Sequence, residues 1–170
     1  MPVLCFAYGS NMLHTRLAAA ERAPSARRVA VAELTQHRLR FDKRGADGSG
    51  KCNIEPAATG QRVYGVVYAM ERAELASLDR AEGGYERVEL EVRALGGEVL
   101  RAETYRALPH TLEPNLAPFD WYKAIVLAGA RAARHPDSYL ATLEAQPERR
   151  DPDASRRARH LALLDLKLAA

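Results

Sequence analysis

Cysteine is scarce in this chain. Cys5 and Cys52 are the only two among 170 residues, and they form no C-x-x-C pair. A disulfide-stapled secreted scaffold is therefore excluded, and a reduced, cytoplasmic setting is the expectation. Long apolar runs are also missing. The opening MPVLCFAYGS carries no basic leader, and its hydrophobic run is far too short for export or for crossing a membrane. The five histidines, His14, His37, His110, His135 and His160, show neither H-x-x-x-H nor Cys/His spacing, so no metal site is expected. No G-x-G-x-x-G, no phosphate loop ending in G-K-[ST] and no G-x-S-x-G elbow occurs. Charge of one sign is lacking too. Twenty-five basic residues against 22 acidic leave only +3, too little to imply a nucleic-acid partner. Much of that excess lies late, at Arg149-Arg150 and in Ser155–His160, which reads as a solvated basic segment.

What is present is ordinary globular material, 47% hydrophobic and 28% charged. At this length one domain removes roughly 70% of its unfolded surface from water. Val3 to Tyr8 reads as a buried strand, and Met12 to Ala20, with its alanine run, as a short helix. RRVAVAEL and HRLRFDKR alternate as half-buried strands, and Gly45 to Lys51 is a loop dense in turn residues. RVYGVVYAM, Arg62 to Met70, is a central strand, and ERAELASLDRA follows as one short helix. YERVELEVRAL and EVLRAETYRAL are joined at Gly96-Gly97 as a hairpin. Leu108 to Asp120 holds three prolines and is loop. Helices close the chain over Trp121–Arg134, Ser138–Glu144 and Arg156–Leu168. The pattern gives α+β: a small mixed, mostly antiparallel curled sheet or barrel with flanking helices.

Three places carry chemistry. Tyr8-Gly9-Ser10-Asn11 ends a strand in residues that leave backbone N–H groups free to hold a carboxylate or a developing oxyanion, although a plain tight turn explains it as well. Glu82 ends a helix just before Gly83-Gly84. There the macrodipole disfavours a charged carboxylate, which suits a group that takes and returns a proton; a solvent-facing Glu before a glycine cap is the alternative. Tyr122 shares one helical stripe with Ile125, Val126, Gly129 and Ala133, so its phenol faces inward, as a core tyrosine also would. A serine nucleophile at Ser10 has no ordered acid–His–Ser set behind it.

FAYGSNM, DGSGKCNI, VYGVVYAM, LDRAEGGY and WYKAIVLAGA, in that order, resemble the γ-glutamylcyclotransferase family. The match runs from Phe6 to about Leu143. It implies a domain over 1–146, with 147–170 a basic helical extension packed on the same body. It further implies cleavage of a γ-glutamyl amide by attack of its own α-amine on the γ-carbonyl, giving 5-oxoproline and a free amine without cofactor. Under that resemblance Glu82 is the general acid/base. Tyr8, Gly9, Ser10, Asn11, Met12, Tyr85 and Tyr122 bind the substrate. A cyclotransferase for γ-glutamylamines or a biosynthetic γ-glutamyl intermediate is the alternative, as is a non-catalytic carboxylate binder. The expected partner is a small γ-glutamyl molecule, with no nucleic acid or membrane, and the expected state is monomer or homodimer.

Overall fold

The computed structural model describes residues 2–165. β1 (Pro2–Ala7) runs into a 3₁₀ turn, Ser10–Met12, and a one-turn helix α1 (His14–Leu17). Four strands follow: β2 (Arg27–Thr35), β3 (His37–Arg44), β4 (Gly50–Pro56) and β5 (Arg62–Glu71). Then come α2 (Leu75–Ala81), β6 (Tyr85–Ala94) and β7 (Val99–Ala107). The last third holds α3 (Asp120–Ala132), α4 (Asp137–Ala145) and α5, described as Ala154–Asp165; the residues expected to carry α5 on to Leu168 lie outside the described ones.

Five strands close into a barrel in the order β1-β5-β2-β6-β7, and β3 and β4 form a separate two-stranded sheet. Every barrel pairing is antiparallel except the closure, where β1 meets β7 in parallel at Cys5 and Glu103. The expected α+β curled sheet with flanking helices is thus the observed architecture. β5, predicted central from its β-branched run, lies between β1 and β2 and is buried along most of its length. Its Val63, Val66, Val67 and Met70 join Phe6 and Leu78 among the side chains with almost no exposure. Burying each contributes about 1.5–3 kcal/mol.

Two elements differ from the sequence reading. The helix expected over Met12–Ala20 shrinks to α1, despite the alanines' high helix propensity. The Leu17 carbonyl accepts Ala23 N–H (3.0 Å) and Arg22 N–H bonds Ala19 (2.9 Å), folding the chain back on itself. Tertiary packing overrides propensity here. The loop expected over Gly45–Lys51 is the tight end of a hairpin, with Gly45 N–H bonded to the Ser49 carbonyl at 2.9 Å. The chain is already strand by Gly50, so the glycines conceal β4.

α3 shows the predicted stripe: Tyr122, Ile125, Val126, Gly129 and Ala133 are all buried. Gly129 sits where the 3₁₀ turn crosses the helix. A Cβ there would lie 2.7 Å from the Leu13 nitrogen and 2.7 Å from the Met12 Cβ. The close approach is completed by Tyr68, whose hydroxyl donates to the Met12 carbonyl at 2.8 Å.

The basic C-terminal segment is not merely solvated. Arg156 forks onto the buried Asp151 with two 2.6 Å bonds, and Arg157 Nε reaches Asp120 Oδ2 at 2.7 Å. His160 stacks on Trp121, ring centroids 3.8 Å apart, so α5 lies against the start of α3.

Gly129→Ala is expected to destabilise the fold by about 1–3 kcal/mol, read as a lowered urea midpoint. An unchanged midpoint would show that the turn can slide away from α3. His135 is buried, its Nε2 3.4 Å from Met12 Sδ, and burial lowers its pKa from 6.5 to about 4. Between those values the unfolded chain binds the proton and the native one does not, so stability falls as pH drops from about 6.5 to about 4. His135→Gln is expected to flatten that acid limb in pH-dependent unfolding, and an identical limb in the variant would contradict it.

Candidate active site

The turn after β1, the end of α2, the start of β6 and the start of α3 meet at one cavity of about 40 Å³. Of the residues predicted for a site, Tyr8, Gly9, Ser10, Asn11, Glu82, Tyr85 and Tyr122 line it. Met12 does not. The 3₁₀ geometry turns its side chain to the α3 face, against Gly129 and His135, so it is a packing residue and not a wall of the cavity.

Glu82 occupies the C-cap of α2, its N–H bonded to the Leu78 carbonyl at 2.9 Å. Its Oε1 accepts two donors, Asn11 Nδ2 at 2.9 Å and Arg22 Nη1 at 2.7 Å. Arg22 also reaches Asn11 Oδ1 at 3.2 Å, closing a three-residue network. The Arg22 and Glu82 side chains are only 13% and 16% exposed, so solvent screens this pair weakly. Oε1 is committed to this scaffold. Oε2 receives no hydrogen bond among the described residues.

The turn supplies donors. Its first internal bonds are Met12 N–H to the Gly9 carbonyl (3.0 Å) and Leu13 N–H to the Ser10 carbonyl (3.2 Å). The N–H groups of Gly9, Ser10 and Asn11 precede them and make no bond of that ladder. Gly9 lies tight against β4 and α3, since a Cβ there would stand 3.0 Å from Cys52 Cβ and 3.4 Å from Tyr122 Oη.

Cys52, on β4, holds both remaining phenols through its backbone. Its N–H donates to Tyr122 Oη (3.0 Å), and its carbonyl accepts from Tyr85 Oη (2.7 Å). Burial pushes both phenols well above their ordinary pKa, so they stay protonated. The Tyr122 oxygen accepts from the Cys52 N–H, and its hydroxyl lies beside the Cys52 thiol. Tyr8, also buried, donates to the Tyr105 carbonyl. The Cys52 thiol lines the cavity, but burial pushes it up to about 12, so it is no nucleophile at neutral pH.

Sequence reasoning missed Arg22 and Cys52. Arg22 arrives through the chain reversal after α1, two residues past the alanine run that signals helix. Cys52 acts through main-chain atoms that no side-chain pattern reports.

Beyond the small cavity lies an open cleft of about 410 Å³, which shares Ser10, Glu82, Tyr85 and Tyr122 with it. Among the described residues no three His, Cys, Asp or Glu side chains are grouped as a metal site needs, and no helix is long and apolar enough to cross a membrane.

Comparison with known proteins gives this geometry its context. Gamma-glutamylcyclotransferase of Mus musculus is 31% identical over 150 residues, covering 84% of this chain and 77% of its own length. The human gamma-glutamylcyclotransferase is 32% identical over the same span. The chain belongs to the gamma-glutamylcyclotransferase family. The model of the AIG2-like family matches residues 62–143. A solved gamma-glutamyl cyclotransferase structure superposes with a TM-score of 0.84 at 27% identity, covering 95% of this chain and 99% of that one. The family fold thus places the turn, the α2 end and α3 around a shared cavity in this member.

Tyr122→Phe leaves the buried Cys52 N–H without its acceptor. It is expected to cost about 1–3 kcal/mol in chemical unfolding and to loosen Tyr85, which is bonded to the carbonyl of the same residue. A variant as stable as the parent would show that the phenol does not brace β4.

Proposed function

We propose that this chain converts a γ-glutamyl amide to 5-oxoproline and a free amine. The observation that carries the reading is the position of Glu82. It lines both a small cavity edged by backbone donors and the larger cleft beside it. The cavity has room for roughly three water-sized groups, which suits the end of a glutamyl chain and not a nucleotide.

In this reading the glutamyl part enters the small cavity and the amine part lies in the cleft, so the scissile amide spans the junction. Glu82, through Oε2, takes a proton from the α-amino group as its nitrogen attacks the γ-carbonyl carbon. The new C–N bond closes a five-membered ring and places negative charge on the carbonyl oxygen. The N–H groups of Gly9 and Ser10 hold that charge. Losing one such donor typically costs about 3 kcal/mol of barrier. The tetrahedral carbon then expels the amide nitrogen, which receives the proton back from Glu82, and no water enters the balance.

Nucleophile and electrophile belong to one molecule, so the protein's main task is to hold the substrate folded. Orientation of that kind is worth about 7–11 kcal/mol in well-aligned systems. The scaffold suits it, since Arg22 and Asn11 fix Glu82 while the Cys52 backbone fixes both phenols. Both thiols are free and buried, which fits a reducing cytoplasm as the place of action.

Glu82→Gln preserves the side chain's shape and an acceptor for Arg22 while removing the proton carrier. It is expected to lower 5-oxoproline release by about 10²–10⁴-fold with little change in substrate affinity, measured by mass spectrometry and calorimetry. A variant that keeps the parent rate would remove Glu82 from the mechanism.

A further inference from the structure

The chemistry of the cyclised half leaves the amine half unspecified, and the cleft that would receive it has a marked charge. Its walls carry five cationic side chains, Arg16, Arg22, Lys43, Lys51 and Arg80, against two carboxylates, Asp47 and Glu82. Two of the cations are already paired, Arg22 with Glu82 at 2.7 Å and Lys51 with Asp47 at 2.8 Å. The other three have no carboxylate within ion-pair distance among the described residues.

Their surroundings make this unusual. Lys43 is only 5% exposed; its Nζ donates to the Gly83 carbonyl at 2.6 Å and sits 4.7 Å from the centre of the Tyr85 ring. Arg16 has its Nε buried with no hydrogen-bond partner among the described residues. Desolvation lowers the pKa of both groups and Arg22 presses further on Arg16, while Glu82, near both but bonded to neither, offsets only part of this. A cation removed from water without a counter-charge is costly, so such groups are normally paired. His160 closes the far wall from α5 and adds no compensating charge. Burial lowers its pKa to about 4, leaving it neutral near pH 7.

We infer that the amine released from this cleft carries at least two negative charges: an acidic amino acid or acidic peptide joined through its α-amine to the γ-glutamyl carbonyl, its carboxylates received by Lys43 and Arg16. The inference rests on the cyclisation reading above. With the glutamyl α-carboxylate held by the backbone donors of the small cavity, a leaving group that is a neutral amino acid supplies one carboxylate and leaves one of the two desolvated cations unmatched. An uncharged amine leaves both. A dianionic one satisfies both, with Arg80 at the exposed rim adding attraction. The cleft's volume, about 410 Å³, accommodates a branched, doubly charged group beside Trp121 and His160.

The test compares kcat/KM of the full chain for 5-oxoproline release from γ-glutamylglutamate, γ-glutamylalanine and γ-glutamylethylamine at low ionic strength. The acidic donor is expected to exceed the alanine donor by about tenfold, as one added charge-assisted contact predicts, with the amine donor poorest. Added salt is expected to narrow that ratio. Arg16→Gln is expected to shrink it chiefly by raising KM for the acidic donor, a selectivity change that general loss of folded protein would not produce. Equal rates for the acidic and alanine donors, or a preference for the uncharged amine, overturn the inference and leave cyclisation standing. No 5-oxoproline from any donor overturns both.

Discussion

The contact of the Met12–Leu13 backbone with α3 at Gly129 is the constraint on which the site depends. At that crossing the main chain comes closer to the helix than any side chain would allow. Tyr68 ties the same turn to the barrel, and α3 cannot shift without dragging it. Two helical turns earlier on the same face stands Tyr122, about 10 Å along the axis. One helix face therefore both clamps the donor turn and carries a phenol across from it, so their relative position is set by helix geometry and not by loop conformation.

A second support comes from outside the barrel. β4 belongs to the two-stranded sheet, yet its Cys52 backbone is bonded on one side to α3 and on the other to β6 through the two tyrosines. The site is thus built at a seam between barrel, hairpin and helix, with main-chain atoms doing much of the positioning. The third support is the Arg22–Asn11–Glu82 network, which joins the reversal after α1 to the end of α2. None of these three depends on a long flexible side chain reaching alone into solvent.

Much of this was legible in the residues, for identifiable reasons. The barrel strands alternate or run apolar, and such periodicity survives any environment. The α3 stripe revealed both Tyr122 and Gly129 because one helix face reports its burial at fixed spacing. The turn and Glu82 stood out because chain breaks at Gly, Ser and Asn constrain backbone donors. What escaped notice was non-local. Gly48 and Gly50 flank the hairpin end and concealed β4, alanines hid the reversal that delivers Arg22, and a 3₁₀ turn rotated Met12 away from its neighbours in sequence. Arg156 and Arg157 were read as solvated because their anchors, Asp151 and Asp120, declare themselves only once α5 folds back.

The seam at Cys52 has a consequence for how such a protein can diversify. The β3–β4 hairpin reaches the floor of the cavity through the backbone of one residue, Cys52, while Asp47 and Lys51 nearer its tip border the open cleft. Insertions or exchanges at the tip can reshape the entrance without disturbing the backbone that braces the tyrosines. Entrance and brace sit a few residues apart on a single ribbon, Asp47 and Lys51 facing the cleft and Cys52 the cavity, so the mouth can drift over generations while the neighbouring brace is kept.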